Sequence, residues 1–282
     1  MHEDNPKLSA RETIPGTRPS LTSPVSQMCT QAQFEEAVYE RWRLEMGLHF
    51  SYHRKHWEFA YILQALSELG MLEAGRHGLG FGVGREPLAA VMANKGVSVL
   101  ATDMPLAQAK GTGWISTAQH ARRLEDLNWN GLCPVERFRR HVTFREIDMR
   151  ALPGNLGAFD FVWSACALEH LGSIENGIKF ILESLKFLRP GGVAVHTTEY
   201  NLMSDTRTVD NDATVLFRRR DFTALADRVT EMGYAIALNF TEGSQFADKF
   251  VDVPPYRDCP HLAILLNGFV TTSFGLIISR PR

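Results

Sequence analysis

Four glycines at alternate positions, from Gly78 to Gly84, limit more than any other feature how this chain can fold. The first two lie in a short apolar segment, Gly78–Phe81, and the last two lead into a helix-like segment at residues 86–94. Such a loop lets a ligand approach the backbone, and the N–H groups that open the next helix can bind an anion or a polar group. The following apolar segment, Val97–Thr102, ends at Asp103. Because a carboxylate there can accept hydrogen bonds from both hydroxyls of a ribose, the pattern predicts a nucleoside site.

Short apolar segments alternate with segments of helical periodicity from Gly75 onward. The predicted strands are Gly78–Phe81, Val97–Thr102, Val142–Ile147, Phe159–Ser164, Val193–Thr198, Tyr234–Phe240 and Phe269–Ile278. The predicted helices include residues 86–94, residues 174–187, and a helix for which Asp221 is the expected N-cap. This alternation is typical of a parallel sheet covered by helices on both faces. We therefore predict a doubly wound α/β fold.

The chain divides into three predicted parts. Residues 1–30 are rich in Pro, Ser and Thr and lack periodicity, so we expect a disordered tail. Residues 31–72 show helical spacing and are predicted to form an N-terminal helical cap. The remaining residues, 73–282, form the predicted α/β domain.

The charge balance and the cysteines limit the classes of function. The chain has 30 Lys and Arg against 32 Asp and Glu, a net charge of −2, which argues against nucleic-acid binding through an overall basic field. The four cysteines form no CxxC pair, so we predict reduced thiols in a cytoplasmic protein. No close ligand repeat such as HxxxH pairs His170, His196 and Glu199, so we predict no metal site. The basic segment His53–His56 can attract an anionic substrate, but a solvated helix face is the favoured interpretation.

No membrane contact is predicted. The weakly charged stretch Cys259–Ser279 contains too many polar residues and breaks for a spanning helix. Two short strands joined at Asn267-Gly268 fit this stretch better.

The glycine spacing bears on which nucleoside is bound. A dinucleotide fingerprint requires G-x-G-x-x-G/A, and the third position falls on Arg85 or Val83. The chain has G-x-G-x-G instead, at Gly80, Gly82 and Gly84. Without a pyrophosphate to hold, this loop can bind the amino-acid end of S-adenosylmethionine.

At this point the chain resembles the class I S-adenosylmethionine-dependent methyltransferases. The segments that carry the resemblance are Gly80–Gly84, Asp103, Asp148-Met149, Phe159–Ser164 and Leu188–Gly192. It implies a Rossmann-like, seven-stranded, mostly parallel sheet with the N-terminal helices as an extension. The residues that it implies for the cofactor site are Gly80, Phe81, Gly82 and Gly84 at the methionine part, Asp103 at the ribose, Met104, Asp148 and Met149 at the adenine, and Ser164 near the sulfonium.

One position departs from the family pattern. Family members usually carry Asp or Glu two residues before the first glycine of the loop, where this chain has Gly78. That removes a usual anchor for the amino group of the ligand. Backbone carbonyls or Glu86 are the substitutes that the sequence offers.

Methyl transfer to a hydroxyl or an ammonium needs a group that takes a proton. Ligands of open α/β sheets lie at the carboxyl ends of the strands, where the sequence places His170, His196 and Glu199. We predict one of the histidines as the base, with Glu199 orienting it or the acceptor. The expected reaction is O-methylation of a small molecule or a sugar-type hydroxyl, and the link to glycan biosynthesis comes from the resemblance alone. A non-catalytic binding protein on the same fold and a nucleotide-cofactor oxidoreductase are the alternatives, and the oligomeric state stays open.

Overall fold

A computed structural model describes residues 12–13, 16–109 and 120–282. The strands are β1 Glu12–Thr13, β2 Ser26–Met28, β3 His77–Phe81, β4 Ser98–Asp103, β5 Val142–Glu146, β6 Phe159–Ala165, β7 Leu188–Asn201, β8 Ala235–Asn239, β9 Val251–Asp252, β10 Ala263–Leu266 and β11 Phe269–Ser279. The helices are α1 Gln31–Phe34, α2 Ala37–Glu45, α3 Arg54–Glu68, α4 Leu88–Asn94, α5 Leu106–Ala109, α6 Val135–His141, α7 Ile174–Ser184, α8 Arg219–Glu231 and α9 Phe246–Lys249.

The sheet has the predicted doubly wound arrangement. Its main strands follow the order β5-β4-β3-β6-β7-β11-β8, and the first five of these are parallel to one another. β11 runs antiparallel to β7 and to β8. Strand order reverses at β3, which pairs with β4 on one side and β6 on the other. The carboxyl ends of β3 and β6 therefore form the crevice in which ligands of such sheets bind.

The N-terminal segment takes part in the sheet. β2 is buried, and it pairs with both β8 and β11. Structure therefore begins before the end of the predicted disordered tail at residue 30, although residues 1–11, 14 and 15 lie outside the described part. The side chain of Gln27 bonds to Gln33 and to the Ser20 carbonyl, which explains how a polar sequence can enter the core.

Helices cover both faces of the sheet. α3 and α4 pack on one face, where Phe161 and Trp163 of β6 point. α7 and α8 cover the other face, where Val162 of the same strand lies. Because successive side chains of a strand point to opposite faces, neighbouring residues of β6 and β7 meet different helices.

Two local expectations have opposite outcomes. Asn267 and Gly268 both have positive φ, 50° and 83°, and join β10 to β11 as predicted. The N-cap prediction for Asp221 is wrong, because α8 begins at Arg219 and Asp221 is its third residue. The Asp221 carboxylate accepts the backbone N–H of Arg218 from inside the first turn. Within the described ranges, no helix is long and apolar enough to cross a membrane.

Candidate active site

The glycines at the end of β3 make room for aromatic rings from β6. Gly78 pairs with Phe161 and Gly80 pairs with Trp163. A Cβ atom added to Gly78 would lie 2.3 Å from the Phe161 ring, and one on Gly80 would lie 2.4 Å from Trp163 and from Val83. Real Cβ atoms do not approach other atoms so closely, so larger residues at these two positions would displace the rings.

Gly82 forms the bend of the loop. Its φ of 59° favours glycine, and an added Cβ would lie 2.7 Å from Ala167 and 3.2 Å from the Sδ atom of Met149. The Phe81 side chain points away from the bend, with its ring 5.2 Å from that of Phe180 on the α7 side. Phe81 therefore contributes its backbone, and not its ring, to the glycine loop. Gly84 closes the loop through a hydrogen bond from its N–H to the Gly82 carbonyl.

Asp103 lies at the end of β4 and is buried. Its carboxylate accepts the N–H groups of Met104, at 2.8 Å, and Ala121, at 2.9 Å. Burial raises the pKa of Asp103 to about 6, against the opposing effect of these backbone donors. The Met104 carbonyl lies 2.8 Å from Nε2 of His120, and this hydrogen bond connects the chain after β4 to residue 120.

Asp148 and Met149 follow β5, as the motif spacing requires. The hydrogen bonds from Arg150 lower the pKa of Asp148, with Nη2 2.9 Å from the carboxylate. Met149 is buried beside Gly82. The two residues thus lie at the same end of the sheet as Asp103.

A carboxylate cluster, made of Glu58, Glu169 and Glu199, lies where α3 packs on the carboxyl ends of β6 and β7. The three side chains are almost completely buried. Two cations of α3 face the cluster: Arg54 pairs with Glu199 and lies 4.0 Å from Glu58, and Lys55 lies 3.2 Å from Glu58. Three buried carboxylates thus meet two cations.

Glu58 is fully engaged within this cluster. It accepts hydrogen bonds from Ser273 and from the Cys166 thiol, the latter at 3.0 Å. Burial alone would raise the pKa of Glu58, but Lys55 and Arg54 hold it below the ordinary value. Glu58 is therefore an ionised, structurally fixed anion.

Glu199 is also engaged through both oxygens. Oε1 pairs with Arg54, and Oε2 accepts the Thr271 hydroxyl at 2.9 Å. Glu169 differs, because Oε2 accepts the Thr198 hydroxyl at 3.0 Å while Oε1 has no hydrogen-bond donor in the described part of the chain. Burial raises the pKa of Glu169, and neighbouring Glu199 adds to this effect against the opposing influence of His170 and of the Cys166 thiol.

Cys166 connects the cluster to the end of β6. Its φ of 46° is unusual for a residue with a side chain, and the strained conformation directs the thiol to Glu58. The Sγ atom and oxygens of Glu169 and Glu199 lie within 4.8 Å of one another, a spacing that could hold a cation. The Arg54 guanidinium already supplies positive charge beside Glu199.

His170 lies at the edge of the cluster. Its Nδ1 is 2.9 Å from the Ala213 carbonyl and 3.2 Å from the Thr214 hydroxyl. Its Nε2 lies 3.9 Å from Oε1 of Glu169. The predicted base and a buried carboxylate are therefore neighbours.

His196 lies on the other face of the sheet. Its Nδ1 is 2.8 Å from the Ser164 hydroxyl, and its Nε2 is 3.4 Å from the Ser184 hydroxyl of α7. Both His196 and Ser164 are completely buried, and the ring of Phe180 packs against the imidazole at 5.7 Å. Burial lowers the pKa of His196 to about 3. The structure thus brings His170 and Glu199 into one cluster and separates His196 from it.

Sequence reasoning missed the contribution of α3. The favoured solvated helix face is wrong for Arg54, whose side chain is 15% exposed and paired with Glu199. Glu58 and Cys166 were not selected either. The available signal for Glu58 was a charged residue one turn after Arg54, inside the apolar and aromatic run from Trp57 to Leu63.

Residues 79–196 match a family model described as a methyltransferase domain. This segment is therefore similar to methyltransferase domains. Its cofactor is S-adenosylmethionine, as the glycine spacing and Asp103 predict. The strand order and the family match together support S-adenosylmethionine-dependent methyl transfer. No curated protein sequence matches the chain.

Solved methyltransferase structures are similar to this chain at low identity. A protein described as a sarcosine dimethylglycine methyltransferase, from Galdieria sulphuraria, is 15% identical, with a TM-score of 0.49 over 79% of this chain and 84% of that one. A magnesium protoporphyrin IX methyltransferase from Synechocystis PCC 6803, with bound S-adenosylhomocysteine, is 13% identical, with a TM-score of 0.44 over 89% of this chain and 97% of that one.

The glycine loop and its neighbours offer backbone and polar groups that fit this cofactor. Gly82 brings its backbone close to Met149, where no side chain would fit. Two buried polar atoms near the loop, Oε1 of Glu86 and Nε1 of Trp163, lie in neighbouring side chains, and neither completes a hydrogen bond of ordinary geometry among the described residues. With Asp103 for the ribose, these groups would hold a ligand that carries hydroxyl and charged ends. The cofactor supplies an electrophilic methyl group.

Proposed function

We propose that this protein methylates a hydroxyl group of a small-molecule acceptor, with Glu169 as the base. The acceptor hydroxyl would give its proton to Oε1 of Glu169, its oxygen would bond to the methyl carbon, and the carbon–sulfur bond would break to leave S-adenosylhomocysteine. One observation carries this assignment: Glu169 keeps a buried oxygen without a hydrogen-bond donor, whereas both oxygens of Glu58 and Glu199 are engaged. A hydroxyl acceptor is the donor that this oxygen lacks.

The raised pKa of Glu169 supports the same role. A base works best when its pKa approaches the working pH, and burial moves this carboxyl upward from its ordinary value. His170, with Nε2 3.9 Å from Oε1 of Glu169, would receive the proton next and pass it outward. Glu199 and Arg54 would position the acceptor rather than take its proton. Sugar-type acceptors belong to this proposal because they present the same hydroxyl chemistry.

The proposal is tested with a panel of hydroxylated small molecules, including sugars and phenols. Purified protein is incubated with S-adenosylmethionine and each acceptor, and the release of S-adenosylhomocysteine is measured. With an active acceptor, we expect Glu169→Gln to lower turnover about 10²- to 10⁴-fold, the usual contribution of a general base. Affinity for the cofactor, measured by calorimetry, should be unchanged.

The matched control is Glu183→Gln, which changes an exposed carboxylate of α7 that pairs with Lys186. It should keep wild-type turnover. Wild-type turnover in Glu169→Gln would overturn the assignment of the base. Intact cofactor binding without methylation of any acceptor would favour the non-catalytic alternative.

A further inference from the structure

The cofactor carries an ammonium group on its methionine part, and this group needs a negatively charged or carbonyl partner. The position that the family resemblance implies for this partner is Gly78, which has no side chain. The Phe161 ring fills the space beside it, only 2.3 Å from where a Cβ would be. No acidic side chain fits there without moving that ring.

Other carboxylates around the loop are already engaged. Asp103 accepts two backbone N–H groups, Asp148 is held by Arg150, and Glu58 is bound by Lys55 and the Cys166 thiol. A new ammonium group would have to displace these partners.

Glu86 is different. It lies between the glycine loop and the start of α4, and its side chain is 5% exposed. Its Oε1 atom is buried and has no hydrogen-bond partner within the residues that the structure describes. An unpartnered buried carboxylate is costly, so such an atom marks a place where a donor is expected to bind.

The neighbours of Glu86 connect it to the loop. Trp163, whose ring lies against Gly80, directs its indole Nε1 at the carboxylate and lowers the pKa of Glu86, although the two groups do not reach ordinary hydrogen-bond geometry. Lys55 and Glu58 face Glu86 from α3, and Asp103 faces it from β4. Glu86 therefore occupies the same end of the sheet as the ribose-binding carboxylate.

We infer that Glu86 binds the ammonium group of S-adenosylmethionine and so replaces the acidic residue that is missing at Gly78. The inference rests on the cofactor assignment of the proposed function but requires no acceptor. Burial raises the pKa of Glu86 to about 8, against the opposing effects of Lys55 and Trp163. Near pH 7 the carboxyl is therefore largely protonated before binding, and it releases its proton to solvent when the ammonium group arrives.

The first test compares two ligands by isothermal titration calorimetry. One is S-adenosylhomocysteine, which keeps the ammonium group, and the other is its analogue with hydrogen in place of the amino group. We expect wild-type protein to bind the deaminated analogue about 10- to 100-fold more weakly, the usual effect of a hydrogen bond to a charged group. In Glu86→Gln the affinity for S-adenosylhomocysteine should fall by a similar factor, while the affinity for the analogue should not change.

The second test measures proton release by wild-type protein, so it does not depend on how well a variant folds. Titrations of S-adenosylhomocysteine at pH 7 in buffers of different ionisation enthalpy should show release of close to one proton per ligand, as linkage requires for a carboxyl that ionises on binding. Glu86→Gln should abolish this release. The control Glu73→Gln, at a carboxylate that is 70% exposed, should retain both the release and the affinity.

The results of these tests distinguish a failure of the Glu86 inference from a failure of the cofactor assignment. Equal loss of affinity for both ligands in Glu86→Gln would show a structural role and overturn the inference, and so would unchanged affinity for S-adenosylhomocysteine. Wild-type protein that binds neither ligand would overturn the cofactor assignment itself. Neither result depends on finding an acceptor or on Glu169.

Discussion

The two faces of the β6–β7 strand pair hold polar groups in opposite states. On the α7 side, His196 lies between two serine hydroxyls and an aromatic ring, and the imidazole is neutral. Thr197 directly follows His196 in β7, and Thr197 and Glu199 lie on the α3 side. There they face a cluster of ionised groups. A shift of one residue along a strand therefore separates a closed hydrogen-bonded core from a charged and incompletely paired site.

The difference has a simple energetic origin. Neutral groups that satisfy one another can be buried at little cost, whereas buried ions need partners of opposite charge. The carboxylate cluster has two cations for three carboxylates, and the oxygen left over belongs to Glu169. The carboxylate oxygen that is available to a ligand therefore lies on the face where the cations do not fully balance the carboxylates.

The largest effect on stability should follow from removing a cation on the charged face. Arg54→Met leaves Glu199 buried without its ion pair, and we expect the free energy of unfolding to fall by about 3–5 kcal/mol. Urea unfolding measures this change. The control Arg228→Met, which breaks an exposed pair with Glu175, should cost at most about 1 kcal/mol. Equal costs for the two variants would mean that the charged face is no different from the surface.

On the neutral face the effect should depend on pH. The pKa of His196 falls from 6.5 to about 3 on burial, so between these values the unfolded chain binds a proton at this imidazole that the folded protein does not. The free energy of unfolding should therefore decrease as the pH falls, by up to about 1.4 kcal/mol per pH unit from this residue. His196→Gln should lack this component, while His77→Gln, at an exposed histidine, should keep it. A wild-type pH slope in His196→Gln would contradict the neutral core state.

The smallest effect should come from the outer hydroxyl of the neutral face. Ser184→Ala removes a contact that is 3.4 Å from Nε2 of His196 and a bond of 2.7 Å to the Ile181 carbonyl. We expect a loss of about 0.5–1.5 kcal/mol in unfolding free energy, with unchanged cofactor affinity. A change in cofactor affinity would show that the two faces are coupled across the strands.

The sequence allowed the fold to be predicted because its signals are local. Short apolar strands, the glycine loop and the turn at Asn267-Gly268 each depend on residues close together in the chain, and the observed strand order agrees with them. The exceptions have physical reasons. Asp221 binds a backbone N–H from inside the helix, and β2 enters the sheet with polar side chains that find partners only after folding.

The site could be predicted only in part. β7 is buried on both faces, so its apolar pattern does not show to which face His196 points. Arg54 looked like a surface residue because its partner Glu199 lies far away in the sequence. The reason for a glycine at position 78 could not be predicted, because it depends on the pairing of Gly78 with Phe161 in the sheet. Local patterns thus located the end of the sheet that holds the site, and long-range register decided which side chains meet there.

The position of β2 affects how the protein can be made. This strand lies between β8 and β11, and Ser26 exchanges hydrogen bonds with the backbone of Ile277. During synthesis β2 leaves the ribosome roughly 200 residues before β8, so it has no pairing partner for about 10–40 s at ordinary translation rates. Until then the growing chain carries an unpaired edge segment, and the sheet closes only after the last strand emerges.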